Sequence, residues 1–548
     1  MLKLNEQFVR EEYDKNGIIS KFDTVAPDNF NFAYDCVDYI AQHDGDKRAL
    51  VWCNDSGEEH LFSYRDMSEL SSKAANVFTK YGIKKGDTVM LVLKRHYQFW
   101  SAILGLHKIG AVVIPATHLL TEKDYVYRFT ASGCKAIVCT TENDVPSHVE
   151  DAIAKCGGVT VKMTAKGNRD GWVSYDDEMA AACAEFERVQ TQIHDPMIRY
   201  FTSGTTGHPK MVQHDFGYAL AHIFTAKHWQ HVDPDGLHLT LADTGWGKAV
   251  WGKLYGQWIM ESCVFVCDFE RFTPPALLAL FKKYGITSFC APPTMFRFFI
   301  QEDLTKYDLS SLKYATIAGE ALNPEVFNRF YEATGIELME GFGQTETTLT
   351  VVNTVGMKPK PGSMGRPSPQ YNVDLADDNG NSVEPGVVGE IVVRATKDNP
   401  PRGLFQCYYL NEKLTDEVWH DDIYRSGDTA WKDEDGYYWY VGRTDDIIKS
   451  SGYRIGPFEI ESVLMEHAAV AECAVTGVPD DIRGQLVKAT VVLAKGFEPS
   501  EALKADLQNH VKRQTAPYKY PRVVEFVGEL PKTISGKIRR VQIREQSK

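Results

Sequence analysis

The sequence predicts an α/β protein. A large N-terminal part is built from parallel α/β subdomains with a small antiparallel sheet or β-barrel at its end, and a small α+β domain follows. Three observations predict it: short apolar runs alternate with longer helical patterns, the texture turns to short strands and turn residues after about Gly362, and the charge balance reverses near Asp446. Taken in order, DTVMLVL (87–93) reads as a buried strand, 99–108 as a helix, AVVIPA (111–116) as a strand, the segment from Thr121 as a helix, and KAIVCT (135–140) as a strand. A second cycle runs from ESCVFVCD (261–268) through the helix PPALLALFKKYG (274–285) to ITSFCAPP (286–293), and a third from KYATIAG (313–319) into a helix after Asn323. The stretch 372–394 has the turn-rich look of antiparallel strands, and the β-rich part runs over about 362–440. The tail reads helix 457–467, strand 470–478, strand 487–494, helix 500–514 and strand 522–526.

With 548 residues, 43% hydrophobic and 24% charged, and 42 Gly and 24 Pro spread throughout, the chain is neither a single small module nor disordered, collagenous or coiled-coil. The net charge is −14, which repels nucleic acid unless cations cluster. They cluster modestly: from Asp446 onward 16 Lys+Arg face 13 Asp+Glu, so the tail carries +3 and the rest −17. Eleven cysteines with no C-x-x-C pair indicate neither a disulfide framework nor structural zinc and fit a reducing compartment. The charged N-terminus MLKLNEQFVREEYDKNG lacks a signal peptide's apolar core. The most apolar stretch, 101–120, is interrupted by His107, Lys108 and His118. The expectation is a cytosolic (cytoplasmic) protein without a membrane segment or nucleic-acid partner; a homo-oligomer stays open. His214, His222, His228, His231 and His238 crowd one region, but their irregular spacing and the lack of H-E-x-x-H argue against a metal site.

The sharpest local feature is Tyr200-Phe-Thr-Ser-Gly-Thr-Thr-Gly-His-Pro-Lys210. Glycines among hydroxyl residues can turn successive backbone N–H groups inward as an anion nest, and the lysine adds a cation, which together suit a polyphosphate. A polar surface loop is the bland reading, and G-x-x-x-x-G-K-[ST] is absent. Four more motifs follow: Glu340-Gly-Phe-Gly-Gln-Thr-Glu346; Tyr424-Arg-Ser-Gly-Asp428; Gly442-Arg-Thr-Asp-Asp446 running into Lys449-Ser-Ser-Gly-Tyr-Arg-Ile-Gly456; and Pro531-Lys-Thr-Ile-Ser-Gly-Lys537. In this order the five resemble the AMP-forming acyl-CoA synthetases of the adenylate-forming superfamily, over about residues 30–545. KPGSMGRPSP, SSGYRIGPFEIE and TAPYKYPRVVEF look most like the medium-chain acyl-CoA synthetases.

The resemblance implies ATP, Mg²⁺ and CoA. Thr202, Ser203, Gly204, Thr205, Thr206, Gly207, His208, Pro209 and Lys210 would wrap the ATP phosphates. Gly319, Glu320, Ala321, Glu340, Gly341, Phe342, Gly343 and Gln344 would border the adenine, Thr345 the α-phosphate, and Glu346 would hold Mg²⁺, since a carboxylate beside a polyphosphate needs a hard cation between them. Asp428 and Arg443 would bind the ribose, and Arg454 would join the nucleotide site. Lys537 would be catalytic, its ammonium stabilising the charge that develops when a carboxylate attacks the α-phosphorus. The resemblance divides the chain into 1–444 and a mobile 445–548 that turns about Asp445 between two half-reactions. Ser451, Gly452, Tyr453, Arg483, Tyr520, Pro521 and Arg522 would then meet CoA.

Trp229, Trp246, Trp251 and Trp258 fall within thirty residues, and Trp251, Tyr255 and Trp258 have the spacing of one helix face. Core packing explains the spacing equally well. The resemblance makes Trp229, Trp246, Lys248 and Trp251 candidates for the acyl pocket, where large indoles would favour a short, medium-chain, branched or aryl carboxylate. The expected function is an AMP-forming acid–CoA ligase. Alternatives are an aryl-CoA ligase, an adenylating enzyme that loads an acyl carrier protein, and a non-catalytic sensor. The last conflicts with the intact set Lys537, Asp428, Glu346 and Arg443.

Overall fold

The computed structural model describes residues 2–202, 209–451, 453–533 and 537–547. Two large sheets form the body. In the first, of eight strands, Thr88–Val92 lies between Val112–Pro115 and Ala136–Thr140, all parallel, and Pro196–Thr202 extends the parallel run before Lys210–Asp215 turns back antiparallel. In the second, of nine strands, Leu237–Thr240 lies between Cys263–Asp268 and Ser288–Ala291, followed by Tyr314–Ile317 and Leu338–Gly343, again all parallel. Parallel strands covered on both faces are apolar throughout rather than alternating, which is why these runs stand out in the sequence.

Helix Gln98–Ile109 (QFWSAILGLHKI) is buried at every residue. A Cβ on Gly105 would lie 2.5 Å from the Ala74 Cβ, so glycine lets the neighbouring helix Tyr64–Lys80 pack at backbone contact. That neighbour starts at a capping box: Ser63 Oγ accepts from Asp66 N at 3.1 Å, and Asp66 Oδ2 accepts from Ser63 N at 2.7 Å. Two of the polar interruptions of the apolar stretch find partners inside the protein, while the Nδ1 atoms of His107 and His118 accept or donate no hydrogen bond among the described residues. His107 Nε2 meets Tyr255 Oη at 2.8 Å, and Lys108 Nζ meets Asp38 at 2.9 Å. The stretch is an interior helix and strand, and among the described residues no helix is long and apolar enough to cross a membrane.

After Gly362 the chain forms a five-stranded antiparallel sheet: Val373–Ala376, Gly389–Arg394, Ile423–Lys432, Trp419–His420 and Tyr438–Arg443. The tail is a separate α+β unit with its own core (Ile448, Ile460, Leu464, Val475, Val487, Leu507, Val511), where helices Pro457–Met465 and Glu501–Gln514 flank the hairpin Val470–Asp480 and Gly484–Leu493. It rests on the body through Asn323 Nδ2, which donates to the Ser462 carbonyl at 3.2 Å, and an Arg454–Asp378 ion pair at 3.2 Å.

One expectation needs correction. Trp251, Tyr255 and Trp258 do not share one helix: Gly247–Lys253 and Tyr255–Ile259 are separate, broken at Leu254, whose backbone has φ −149° and ψ −87°. Gln257 Oε1 accepts the Leu254 N–H at 3.2 Å in place of a helical carbonyl. The break frees the indoles to point apart, Trp251 Nε1 donating to Tyr218 Oη at 2.7 Å and Trp258 Nε1 to the Ala49 carbonyl at 3.0 Å.

Candidate active site

The phosphate-loop motif joins two paired strands, with Thr202 and Lys210 as the closing register pair. Ser203, Gly204, Thr205, Thr206, Gly207 and His208 lie outside the described residues. The Pro209 carbonyl accepts from Tyr127 Oη at 2.8 Å, and the Lys210 ammonium lies 5.0 Å from the ring centroid of Tyr408. Tyr408 Oη donates to Glu346 Oε1 at 2.7 Å, so Lys210 and Glu346, 136 positions apart, become neighbours on either side of one phenol. His214 Nε2 donates to the Thr345 carbonyl at 2.7 Å, and burial holds this imidazole at a pKa of about 4, neutral at physiological pH.

Strand Leu338–Gly343 carries the next motif. Its glycines leave no room for side chains: a Cβ on Gly341 would stand 2.8 Å from the Trp229 indole, and one on Gly343 would stand 2.0 Å from the Thr348 carbonyl and 3.0 Å from the Trp251 indole. Trp229 and Trp251 thus pack flush against this backbone, with Trp229 Nε1 satisfied by the Met339 carbonyl at 2.9 Å. Phe342 is half-buried beside Tyr440. Gly319 has φ +107°, and the Lys248 Nζ lies 3.3 Å from where its Cβ would be, donating to the Ala318 carbonyl. Glu320 accepts from Thr294 Oγ1 at 3.0 Å and pairs with Arg297 at 3.4 Å; Ala321 and Trp246 are half-buried.

Glu340 turns inward. Its Oε1 accepts from Leu322 N at 3.3 Å, its Oε2 meets no partner among the described residues, and burial raises its pKa to about 8. A carboxyl whose folded pKa lies above the ordinary 4.5 contributes stability that is complete below pH 4.5 and lost as pH rises through about 8. Glu340→Gln should remove that slope: wild type should lose melting temperature across this interval relative to the variant, and parallel curves from the two proteins would refute the assignment.

Asp428, 5% exposed, is the most heavily supported polar group of the site. It is the register partner of Arg443, whose Nη1 approaches its Oδ2 at 3.4 Å; Gln344 Nε2 donates to Oδ2 at 2.5 Å and Tyr440 Oη to Oδ1 at 2.9 Å. Gln344 is held in turn by Tyr424 Oη at 2.8 Å and the Ser426 carbonyl at 2.8 Å. Burial raises the Asp428 pKa, opposed by Arg443 and, more weakly, by the charge of Lys537. Lys248 is lowered, first by burial, with Lys537 adding repulsion. The charge of an exposed lysine of the tail is therefore felt by the buried Asp428 and the half-buried Lys248 of the body. The Lys537 N–H donates to Thr533 Oγ1 at 3.1 Å, and its carbonyl accepts from Thr533 N at 2.7 Å.

Within the tail, the residues expected to meet CoA form two small groups. Ser451, at φ +50°, donates its N–H to the Arg483 carbonyl at 2.9 Å, and Tyr453 stacks on Tyr518 with centroids 4.0 Å apart. Arg522 Nη1 donates to Tyr520 Oη at 2.6 Å, Lys512 lies 4.1 Å from the Tyr520 ring centroid, and Pro521 is buried between Tyr520 and Arg522 in the chain. Gly452 lies outside the described residues. Asp445 sits 3.6 Å from Arg443 Nε. Sequence reasoning gave no role to Tyr408 or Tyr440 and quoted Tyr424 only as the start of a motif; the partners of Tyr408 and Tyr424 lie 62 and 80 positions away, and Tyr440 meets Asp428 across a strand pair.

A model of the AMP-binding enzyme family matches residues 37–409, and one of the AMP-binding enzyme C-terminal domain matches 459–537. The chain belongs to the AMP-binding enzyme family. Its relatives include the mitochondrial acyl-coenzyme A synthetase ACSM5 of Homo sapiens, 42% identical over 95% of this chain and 91% of that protein. Another is the mitochondrial acyl-coenzyme A synthetase ACSM4 of Rattus norvegicus, 42% identical over 96% and 92%. Among solved structures, the anthranilate CoA ligase AuaEII in complex with anthranoyl-AMP superposes with a TM-score of 0.87 at 28% identity, covering 95% of this chain and 98% of that one. This family member's α/β architecture, with a large N-terminal and a smaller C-terminal domain, is the one the sequence predicts. The expectation of a cytoplasmic location is corrected: the relatives are mitochondrial by name, which points away from the cytosol. Unpaired cysteines do not say which compartment holds the protein.

Proposed function

We propose that this family member is an AMP-forming acid–CoA ligase. A carboxylate attacks the α-phosphorus of ATP to give an acyl-adenylate and diphosphate, and the CoA thiol then displaces AMP to leave the thioester. The observation that carries the reading is the buried Asp428 braced by Gln344, Tyr440 and Arg443, with the charge of the tail residue Lys537 felt there and at Lys248. A cation there opposes the build-up of negative charge when two anions meet at phosphorus. Asp428, backed by Gln344, Tyr440 and Arg443, is suited to accept both ribose hydroxyls. The neutral Nε2–H tautomer of His214 fixes the Thr345 carbonyl and so the backbone next to the α-phosphate.

Division of the chain into 1–444 and 445–548, hinged at Asp445, belongs to this proposal, as do CoA contacts at Ser451, Gly452, Tyr453, Arg483, Tyr520, Pro521 and Arg522. The separateness of the tail's core supports it. Mg²⁺ also belongs here. Glu346 lies beside Lys210 through Tyr408, its Oε1 held by the phenol, and a hard divalent cation would let that carboxylate stand near a polyphosphate and would neutralise phosphate charge. Glu346→Gln should raise the Mg²⁺ concentration for half-maximal AMP release by roughly tenfold or more; an unchanged Mg²⁺ titration counts against the role.

The acid is proposed to be short or medium in chain length, because Trp229 and Trp251 fill the space against Gly341 and Gly343. An aryl acid is the second reading, favoured by the likeness to the anthranilate CoA ligase. The test is AMP release with acids from acetate to dodecanoate, branched acids and benzoate, each with and without CoA. Release that depends on an acyl carrier protein and ignores free CoA would replace the ligase reading with a carrier-loading one.

A further inference from the structure

Away from the site, Cys53 and Cys267 are register partners in the neighbouring parallel strands Arg48–Asn54 and Cys263–Asp268. Register partners of a parallel pair project to the same face, and both cysteines line one cleft of about 110 Å³ with Glu59, Lys283 and Tyr284. Neighbouring strands lie about 4.8 Å apart, inside the Cα separation of about 4.4–6.8 Å that a disulfide spans. All eleven cysteines are free, and among the described residues no other two face each other across a strand pair. Cys267 is partly exposed while Cys53 is 4% exposed, so one sulfur is reachable from outside and the other from the cleft.

We propose that Cys53 and Cys267 are a redox-active dithiol that a hydroperoxide converts into an intrachain disulfide. Facing each other across the strand pair, the two thiols influence one another's ionisation in opposite directions. The neighbouring Cys267 thiol lowers the Cys53 thiol against the opposing effect of burial, with the Tyr284 hydroxyl and the Lys283 ammonium adding, while Cys267 is shifted upward. Cys53 is therefore the readier of the two to ionise, and the thiolate is the nucleophile. Its sulfur attacks the peroxide, the O–O bond breaks, one oxygen stays on Cys53 as a sulfenic acid, and the other leaves with a proton as water or an alcohol. The Cys267 sulfur then displaces hydroxide from the sulfenic sulfur, and the Cys267 proton completes a second water. Two thiols and one hydroperoxide give one disulfide, with the peroxide reduced. The bond would tie together two strands just before Asp268 and Glu270, which pair at 2.6 and 2.7 Å with His96 and Lys94 in the loop that follows Thr88–Val92 of the other sheet.

The test treats the purified full-length protein with hydrogen peroxide, alkylates remaining thiols, digests without reduction and maps peptides by mass spectrometry. The expected result is one species joining the Cys53 and Cys267 peptides, lighter than their sum by two hydrogens, lost on dithiothreitol treatment and absent in Cys267→Ala. The proposal is overturned if both peptides are recovered separately, alkylated or oxidised to sulfinic acids, or if either is joined to a different cysteine. The wild-type map decides this whether or not the variant folds.

Discussion

Lys537→Ala is expected to slow carboxylate-dependent exchange of diphosphate into ATP by about 10²–10³-fold, the usual cost of one pre-organised group that stabilises transition-state charge. The same variant should convert supplied acyl-AMP and CoA to thioester at close to the wild-type rate, because that step develops no new charge at the α-phosphorus next to Lys537. Stability should change little, since the side chain is exposed and its charge is felt by Asp428 and Lys248 rather than packed against them. Equal loss of both half-reactions would sink the division of labour. Loss of neither would remove Lys537 from the chemistry altogether.

Asp428→Asn carries the second large effect. The wild-type carboxylate accepts from Gln344 and Tyr440 and faces Arg443, and in the proposed complex it also takes ribose hydroxyls. An amide keeps the shape and loses the charge, so hydrogen bonds worth about 1.5–3 kcal/mol to a charged acceptor fall to neutral strength. The KM for ATP should rise by about tenfold or more, at about 1.4 kcal/mol per factor of ten, with a smaller change in kcat. The melting temperature should also fall, because Arg443 is left with less compensation in a partly buried place. A KM for ATP equal to that of wild type, in a protein that remains folded, would show that Asp428 supports the sheet and not the nucleotide.

Much of the fold was legible because its signals are local. A strand buried on both faces announces itself as a continuous apolar run, as Thr88–Val92 and Cys263–Asp268 do, and a helix by its period and caps. The Trp251–Trp258 segment shows the limit. Its spacing is helical, yet Leu254 breaks the helix because Gln257 offers its N–H a side-chain acceptor and because close packing elsewhere fixes the path: a Cβ on Gly252 would lie 2.0 Å from Thr240 Oγ1, and one on Gly256 2.0 Å from the His222 carbonyl. Propensity within a window cannot report contacts made outside it.

The site divides the same way. The motif residues and the charge split, +3 in the tail against −17 in the rest, are properties of the chain order and were readable there. By itself the sequence determined the α/β class, the order of elements and the family. Only the tertiary structure decided that Tyr408 joins Lys210 to Glu346, that Tyr424 and Tyr440 brace Gln344 and Asp428, that Glu340 turns into the core, and that Lys537 comes within reach of Asp428. The reason is physical. Periodicity and turn chemistry act over a few residues, whereas burial and hydrogen bonding between groups many tens of residues apart exist only once the sheets have packed and excluded water.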